Sequence, residues 1–462
     1  MAADTPASGS KLEQHTIHPI PAHERHGRMR DLFTLWIGAN IHILTIVTGA
    51  LATITYGLDF YWAMVGLALG NLVGAVFMAL HAAQGPQLGV PQMIQTRGQF
   101  GSIGAIFIVA VVIIMYLGFS ASTMVLGGQS IHSILPVISP QFGTVAIALT
   151  SIVATIYGHD MIHAYGRWLA LGCGIALVVC FGWIIFVHGI PAGALTHGHF
   201  SPIGFLSTVS VAALWQIAYA PYVSDYTRYL PDGSGSREAF WASYWGCVIG
   251  SLVPMALGAL LGLLVADTDV VATLAKVTGP FAIPIIILFT FGLCETTAIQ
   301  VYCAVLSIIT IAQNFLVDWR PGAFGRSWIS LVFAGVALAM ALIGAKNFLD
   351  WYSAFIELLM CAMAPWTAIN LVDYYLIRKG DYHVASFFLA DGGIYGYFNK
   401  AALGCYFLGA VIQIPFMSSD LYRGPVARAL GGADISWIVA LLVISPVYYV
   451  LARLQDRAAK AA

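Results

Sequence analysis

Polar side chains that can do chemistry stand inside one apolar run, FGLCETTAIQVYC, at positions 291–303. They are Glu295, Thr296, Thr297 and Gln300. On an α-helix Thr296 and Gln300 share a face, while Glu295 lies about 100° away. A carboxyl group can carry a proton, hydroxyl oxygens can bind a hard cation, and an amide both donates and accepts hydrogen bonds. The pattern indicates an ion-linked binding site.

The apolar composition of the chain makes the carboxyl group of Glu295 energetically costly in this segment. The chain is 59% hydrophobic and 9% charged, with a mean hydropathy of +0.84, against about 25% charged residues in soluble proteins. A charge at mid-membrane costs roughly 2.5 to 3.5 kcal/mol, so Glu295 must face a partner, a cavity or an ion path. Two more acids, Asp225 and Glu357, lie in apolar runs, and Arg228 three residues after Asp225 favours a structural ion pair there.

The elements that position these residues are membrane-spanning helices. Apolar segments of roughly 18 to 25 residues, each long enough to cross a bilayer, recur along the chain. We predict an all-α integral membrane protein of about twelve transmembrane helices, at 32–56, 60–83, 103–130, 142–157, 168–188, 205–227, 239–265, 281–312, 327–345, 351–377, 398–417 and 435–453.

Lysine and arginine placement orients the helices, because basic residues are retained in the cytoplasm. With the N-terminus inside, all of the 20 basic residues except Lys276, Lys346, Arg423 and Arg428 are cytoplasmic. We expect a multi-pass protein of the cell membrane with both termini in the cytoplasm. The predicted organisation is an N-terminal tail (1–31), a ten-helix core (32–377), a cytoplasmic loop (378–397), two additional helices (398–453) and a C-terminal tail (454–462).

Several function classes are excluded. The seven cysteines are scattered through apolar spans without a C-x-x-C pair, which indicates no disulfide framework and no metal site beyond a possible sodium site. A net charge of −1 without a basic stripe gives no sign of nucleic-acid binding. No Walker loop and no nucleophile–base pair is visible, so we expect no enzyme and no cofactor. Membrane lipid is an expected partner, and no obligate protein partner is predicted.

Two predicted spans contain interruptions. The first includes WIGANIH, with Gly38, Asn40 and His42 near its middle, and the sixth includes Pro221, which removes a backbone donor and breaks or kinks a helix. Broken backbone at membrane depth persists only where protein or a water-filled cavity satisfies it. Spans one and six are five apart, which is the spacing expected for two inverted five-helix repeats.

Four segments carry a resemblance to a known family: AQGPQLGVPQMIQTRGQFG (83–101), APYVSDYTRYLP (220–231), LGNL (69–72) and AIQVYCAVLS (298–307). Together they resemble the nucleobase-cation symporter-1 family, especially its purine and cytosine permease branch. The resemblance implies a leucine-transporter-type 5+5 inverted repeat. It also implies import of a planar nitrogen heterocycle together with a proton or a sodium ion.

The resemblance further implies a substrate site, in which a heterocycle lies between aromatic side chains of the third and sixth helices while amides bind its edge. The positions in this sequence that match are Tyr116, Ser120, Trp215, Gln216 and Gln300. Gln300 stands where the family usually has asparagine, so the amide is one methylene longer. An ordinary packing role for Tyr116 and Trp215 is the alternative, since 13% of the chain is aromatic.

Three interpretations of Glu295 remain open. In the first, which we favour, it carries the coupling proton, because burial favours its neutral form until the cavity opens. In the second, Thr296 and Thr297 bind sodium together with first-helix carbonyls near Gly38, Asn40 and Ile41, as the family's sodium site implies. In the third, Glu295 is a neutral acid bonded to a neighbouring carbonyl and has no part in transport.

The sequence therefore predicts a secondary active importer of a nucleobase, purine or cytosine favoured, that works by alternating access. The alternatives are a transporter of another heterocycle, such as allantoin, hydantoin or a vitamin precursor, and an amino-acid transporter of the same fold. The amino-acid alternative predicts glycine-rich unwinding of the first helix, and WIGANIH has one glycine.

Overall fold

The computed structural model describes residues 16–157, 159–233, 235–264, 269–316, 319–389, 391–419 and 422–461. These residues form helices joined by turns and short loops, which confirms the predicted all-α class. Within those ranges nine helices are long and apolar enough to cross a membrane, and a bent helix pair supplies a tenth span. Two shorter apolar helices, Pro140–Thr155 and Lys400–Phe416, bring the described set to the predicted twelve.

We number the spans 1 to 12 in chain order. Their helices are Met29–Gly38 with Ile43–Ile54 (span 1), Phe60–Ala82 (2), Gly104–Ile134 (3), Pro140–Tyr157 (4), His159–Trp183 (5), Pro202–Ile217 with Ala220–Thr227 (6), Gly235–Leu264 (7), Ala282–Ala312 (8), Ala323–Gly344 (9), Phe348–Val372 (10), Lys400–Gln413 (11) and Ser436–Ala461 (12). A short amphipathic helix, Val270–Thr278, precedes span 8.

Both predicted interruptions are present. Span 1 bends by 61° between its two helices, and Asn40 and Ile41 lie in the break. Span 6 breaks at Ala218 and Tyr219, just before Pro221 in the first turn of the following helix. Proline is well accepted at that position because its missing N–H has no intrahelical partner there. Each break frees backbone groups that other parts of the protein must satisfy.

The spans pack in two groups. Spans 1, 2, 6 and 7 contact one another and form a bundle, and spans 3, 4, 8 and 9 form a scaffold beside it. Close helix approach in the bundle depends on small residues, since a methyl group at Gly258 of span 7 would overlap the carbonyl of Ile46 in span 1. The bundle contains the first two spans of each proposed five-helix repeat, as the predicted inverted-repeat architecture requires.

The segment between the second and third predicted spans folds as two short helices, Gln84–Leu88 and Gln92–Phe100. Most of its side chains are buried, including Arg97, which donates to the carbonyls of Phe387 at 2.6 Å and Thr310 at 2.5 Å. The segment is therefore packed into the protein.

The described part of the N-terminal tail is also packed. Ile17 and Ile20 are buried, and Arg25 donates to the carbonyls of Ile20 and Pro86. These contacts attach the chain ahead of span 1 to the helices that follow span 2.

Candidate functional site

A narrow cavity lies between the bundle and the scaffold, beside both helix breaks. Its lining residues come from spans 1, 3, 6 and 8: Leu44, Phe119, Trp215, Ala218, Tyr219, Tyr222, Thr296 and Gln300. Three of the predicted site residues, Trp215, Thr296 and Gln300, therefore meet at one place. The meeting of broken helices from one helix group with intact helices from the other is typical of transporter binding sites.

Half of the residues that line the cavity are aromatic. Trp215 and Tyr219 have ring centroids 6.3 Å apart, and Tyr219 and Tyr222 follow at 5.6 Å. Phe119 of span 3 approaches the Trp215 ring edge-on at 6.3 Å. Rings at these distances offer faces and edges to a flat ligand, and each aromatic pair contributes about 0.5 to 1.5 kcal/mol beyond burial.

Tyr116, the predicted stacking residue, stands behind this wall. It is fully buried, and its ring meets the edge of Tyr222 at 5.5 Å, whereas Phe119, three residues later, lines the cavity. The structure therefore places Tyr116 as a support for Tyr222. Three residues correspond to almost one helical turn, so both side chains project from nearly the same face of span 3.

The polar edge of the cavity is formed by span 8 with help from span 3. The Ser120 hydroxyl donates to Gln300 Oε1 at 3.1 Å, while Gln300 Nε2 makes no hydrogen bond within the part of the chain that the structure describes. One turn away, the Thr296 hydroxyl donates to the carbonyl of Ala39 at 3.1 Å, which leaves its oxygen lone pairs as acceptors. A free donor and a free acceptor thus stand side by side.

Gln216, another predicted substrate residue, points into the bundle. Its Nε2 has two hydrogens to share among three acceptors, Asn71 Oδ1 at 2.6 Å, Ser251 Oγ at 3.1 Å and the carbonyl of Cys247 at 3.3 Å. Ser251 in turn donates to Asn40 Oδ1 at 2.8 Å. This chain of polar side chains joins spans 1, 2, 6 and 7 and binds the bundle together.

Glu295 lies where spans 1, 5 and 8 meet. It is 1% exposed, and neither carboxyl oxygen has a hydrogen-bond partner among the residues that the structure describes. A methyl group at Gly38 would lie 3.4 Å from Oε2, and one at Gly166 would overlap Oε1, so two glycines leave the room that the carboxyl occupies. An ionised carboxylate without a partner is very unfavourable in such surroundings, so this arrangement favours the neutral acid.

The other predicted cation ligands do not converge. The Thr297 hydroxyl faces span 3, at 2.7 Å from the Thr123 hydroxyl and 2.8 Å from the carbonyl of Leu293. The carbonyl of Asn40 accepts from the Thr45 hydroxyl at 2.5 Å within the same break. By contrast, the carbonyl of Ile41 faces span 8, where a methyl group at Gly292 would lie 2.8 Å from it.

The other ionisable groups within spans that the sequence singled out, His42, Glu357 and Asp225, are not among the lining residues of this cavity. The ring of His42 packs against Trp215 at 6.1 Å. Glu357 lines a separate pocket together with Tyr56 and Asp434. Asp225 accepts a hydrogen bond from the backbone N–H of Gln92 at 2.9 Å, where the positive end of a helix favours a carboxylate.

Sequence reasoning missed the apolar lining residues Leu44 and Ala218 and also four aromatic or polar side chains at the site. Phe119, Tyr219 and Tyr222 line the cavity, and Ser251 completes the network behind it. Tyr219 and Tyr222 flank Pro221, so their closeness to the helix break was an available signal. Phe119 and Ser251 stand in long apolar spans without such a signal.

Comparison with known proteins agrees with this architecture. A family model described as a permease for cytosine/purines, uracil, thiamine and allantoin matches residues 19–440. The Bacillus subtilis protein named "Putative purine-cytosine permease YxlA" is 40% identical over 455 residues, covering 97% of this chain and 98% of that protein. The chain belongs to the nucleobase-cation symporter-1 family. It is therefore a multi-pass membrane permease and not an enzyme.

A second curated relative and a solved structure are also similar to the chain. The Emericella nidulans purine-cytosine permease fcyB is 24% identical, covering 93% of this chain and 86% of that protein. The solved structure of the family transporter Mhp1, in a closed conformation with bromovinylhydantoin bound, superimposes with a TM-score of 0.77 at 17% identity, covering 96% of this chain and 97% of that one. The latter comparison confirms the predicted fold.

Proposed function

We propose that the protein is a proton-coupled importer of a nucleobase, purine or cytosine favoured, in the cell membrane. The observation that carries the substrate class is the cavity edge at Gln300 and Thr296, which stands between aromatic side chains. A free amide donor next to a hydroxyl acceptor matches a planar ring whose edge presents an acceptor beside an N–H. Purines and cytosine have such edges, and the names of the relatives point to the same compounds.

In this proposal Trp215, Tyr219 and Phe119 contact the faces and edges of the ring, and Gln300 donates to it. Ser120 fixes the direction of the Gln300 amide, since its hydroxyl holds Oε1 and leaves Nε2 toward the cavity. Tyr116 and Gln216 act from behind the wall. Alternating access follows if the bundle rocks against the scaffold and exposes the cavity to one side at a time.

The proposed coupling group is Glu295. Its carboxyl has no hydrogen-bond partner in the described chain, and it immediately precedes Thr296, which lines the cavity and also contacts the break of span 1. Movement of that break changes the surroundings of both residues together. When the cavity opens to water, the Glu295 carboxyl can release its proton, and when the cavity closes, burial favours the protonated form again.

A sodium site at the same place has less support. Only Thr296 of the two threonines faces span 1, and the Asn40 carbonyl is already occupied by Thr45. Sodium needs several oxygen ligands that converge on one point, by analogy with other hard cations.

The test is uptake of labelled adenine, hypoxanthine, guanine and cytosine into proteoliposomes under an inward proton gradient or an inward sodium gradient. We expect saturable accumulation of at least one base with the proton gradient alone. Accumulation that requires sodium would contradict proton coupling. Uptake of allantoin or hydantoin but of none of the four bases would contradict the substrate class.

The proposed orientation, with both termini in the cytoplasm, rests on the lysine and arginine distribution. A reporter that is active only in the cytoplasm, fused to the C-terminus, is expected to be active, and an inactive reporter on a well-expressed fusion would contradict this topology.

A further inference from the structure

We propose that Asn40 is a positioning residue whose side-chain amide joins the two helix breaks and holds the Trp215 and Tyr219 rings in place as one wall of the cavity. The role of Asn40 in transport rests on the proposed function. The link between the two helix breaks depends only on the hydrogen bonds of Asn40.

Three hydrogen bonds converge on one atom. Asn40 Oδ1 accepts from the indole Nε1 of Trp215, from the hydroxyl of Tyr219 and from the hydroxyl of Ser251, each at 2.8 Å. Trp215 precedes the break of span 6 and Tyr219 lies in it, so the amide of span 1 holds one aromatic side chain on either side of the point where the helix changes direction.

The other end of the amide is fixed as well. Asn40 Nδ2 donates to the carbonyl of Trp36 at 2.7 Å and lies 3.8 Å from the sulfur of Cys247. An asparagine amide offers two donor hydrogens and an oxygen with two lone pairs, so this side chain has no capacity left for a substrate or a cation. It is fully buried and does not line the cavity. Its role is therefore to hold other residues.

Contacts between aromatic rings hold the two rings less firmly than these hydrogen bonds do. Aromatic pairing alone is weak and tolerates ring rotation, whereas an indole N–H or a phenol hydroxyl is destabilising when it is left without an acceptor in a dry interior. Both rings are thus held at the angle at which their polar atoms reach Asn40. Consequently the breaks of spans 1 and 6 move together when the cavity opens.

A first experiment needs no substrate. Hydrogen–deuterium exchange is measured on peptides covering 36–45 and 213–223 in wild type, Asn40→Ala and Asn71→Ala. Asn71 is the matched control because it is an equally buried amide that bonds Gln216 and makes no hydrogen bond to either ring in the described part of the chain. We expect Asn40→Ala to increase exchange at both breaks. Faster exchange at the span 1 break alone, or the same pattern in Asn71→Ala, would overturn the proposal.

A second experiment measures the dissociation constant of whichever labelled base the wild type binds. Asn40→Ala should weaken binding roughly tenfold through loss of the ordered wall. Trp215→Phe removes the indole donor but keeps a ring, so its effect should largely vanish in the Asn40→Ala background. Tyr222→Phe, which alters a wall residue not bonded to Asn40, should remain additive. Additive behaviour of Trp215→Phe would contradict the link.

Asn40→Asp serves as the conservative variant, since in the neutral acid that burial favours one oxygen still accepts from the three donors and the other can donate its proton to the carbonyl of Trp36. Compared with Asn40→Ala, Asn40→Asp should regain most of the base affinity and the slow hydrogen–deuterium exchange at the span 6 break. If Asn40→Asp behaves like Asn40→Ala in both assays, the three convergent bonds are not what positions the rings. If the wild type binds no base, the exchange experiment still decides the inference, and the proposed substrate fails separately.

Discussion

Replacing Glu295 by glutamine tests the coupling proposal most directly. The variant keeps the shape and the polarity of the side chain but removes the proton that can be exchanged. The wild-type oxygens have no hydrogen-bond partner in the described chain, so no native bond is lost. We therefore expect the free energy of unfolding to change by about 1 kcal/mol or less, with substrate affinity retained because Thr296 and Gln300 remain in place.

The expected effect on transport can be calculated from one carboxyl group and one proton per substrate. A gradient of one pH unit supplies about 1.36 kcal/mol per proton, which supports accumulation of up to about tenfold at zero membrane potential. An inside-negative potential of about 100 mV adds roughly 2.3 kcal/mol and raises the limit to about 500-fold. In Glu295→Gln the limiting ratio of internal to external substrate falls to one in both cases, since the proton gradient no longer acts on the carrier.

The assay is accumulation of a labelled base in proteoliposomes with the potential clamped by potassium and valinomycin, together with exchange of internal for external substrate. Exchange should continue in Glu295→Gln while net accumulation stops. Glu357→Gln is the matched control, because Glu357 is another acid within a membrane span but lines a different pocket. The reasoning would be refuted if Glu295→Gln still accumulated the base tenfold under a gradient of one pH unit. It would also be refuted if Glu357→Gln lost accumulation while Glu295→Gln kept it.

Three further substitutions follow from the same contacts. Gln300→Ala should weaken base binding roughly tenfold in a radioligand assay, since it removes the free donor of the cavity; unchanged affinity would place the substrate elsewhere. Gly166→Ala should lower the transport rate at least fivefold because its methyl group overlaps Glu295, whereas Gly174→Ala on the same helix meets nothing within 4 Å and should transport normally. Asp225→Asn should lower stability in thermal unfolding by about 1 to 2 kcal/mol, because the helix N-terminus it caps loses a charged acceptor; an unchanged midpoint would show that this cap is dispensable.

The membrane architecture could be predicted from the sequence because it depends on local properties. A run of apolar residues long enough to cross a bilayer must form a helix, since no water is available to satisfy its backbone. The interruptions at WIGANIH and Pro221 were visible for the same reason. Each is a local departure from a regular helix, and the structure shows both breaks.

The site was predictable only in part. Gln300, Thr296 and Trp215 were identified as polar or aromatic side chains near breaks, and the structure brings them to one cavity. Gln216 and Tyr116 have equally suitable chemistry but point away from it. In a bundle that is buried on several sides, hydropathy does not distinguish the face toward a cavity from the face toward another helix.

What the sequence by itself determined was the number of spans, the positions of the breaks and the presence of an acid that needs a partner or an ion path. Only the tertiary structure decided which groups those side chains meet. Asn40 illustrates the difference, because its three acceptor contacts come from residues 175 to 211 positions away along the chain. Contacts between such distant segments depend on how whole helices pack, and that packing leaves no local pattern in the sequence.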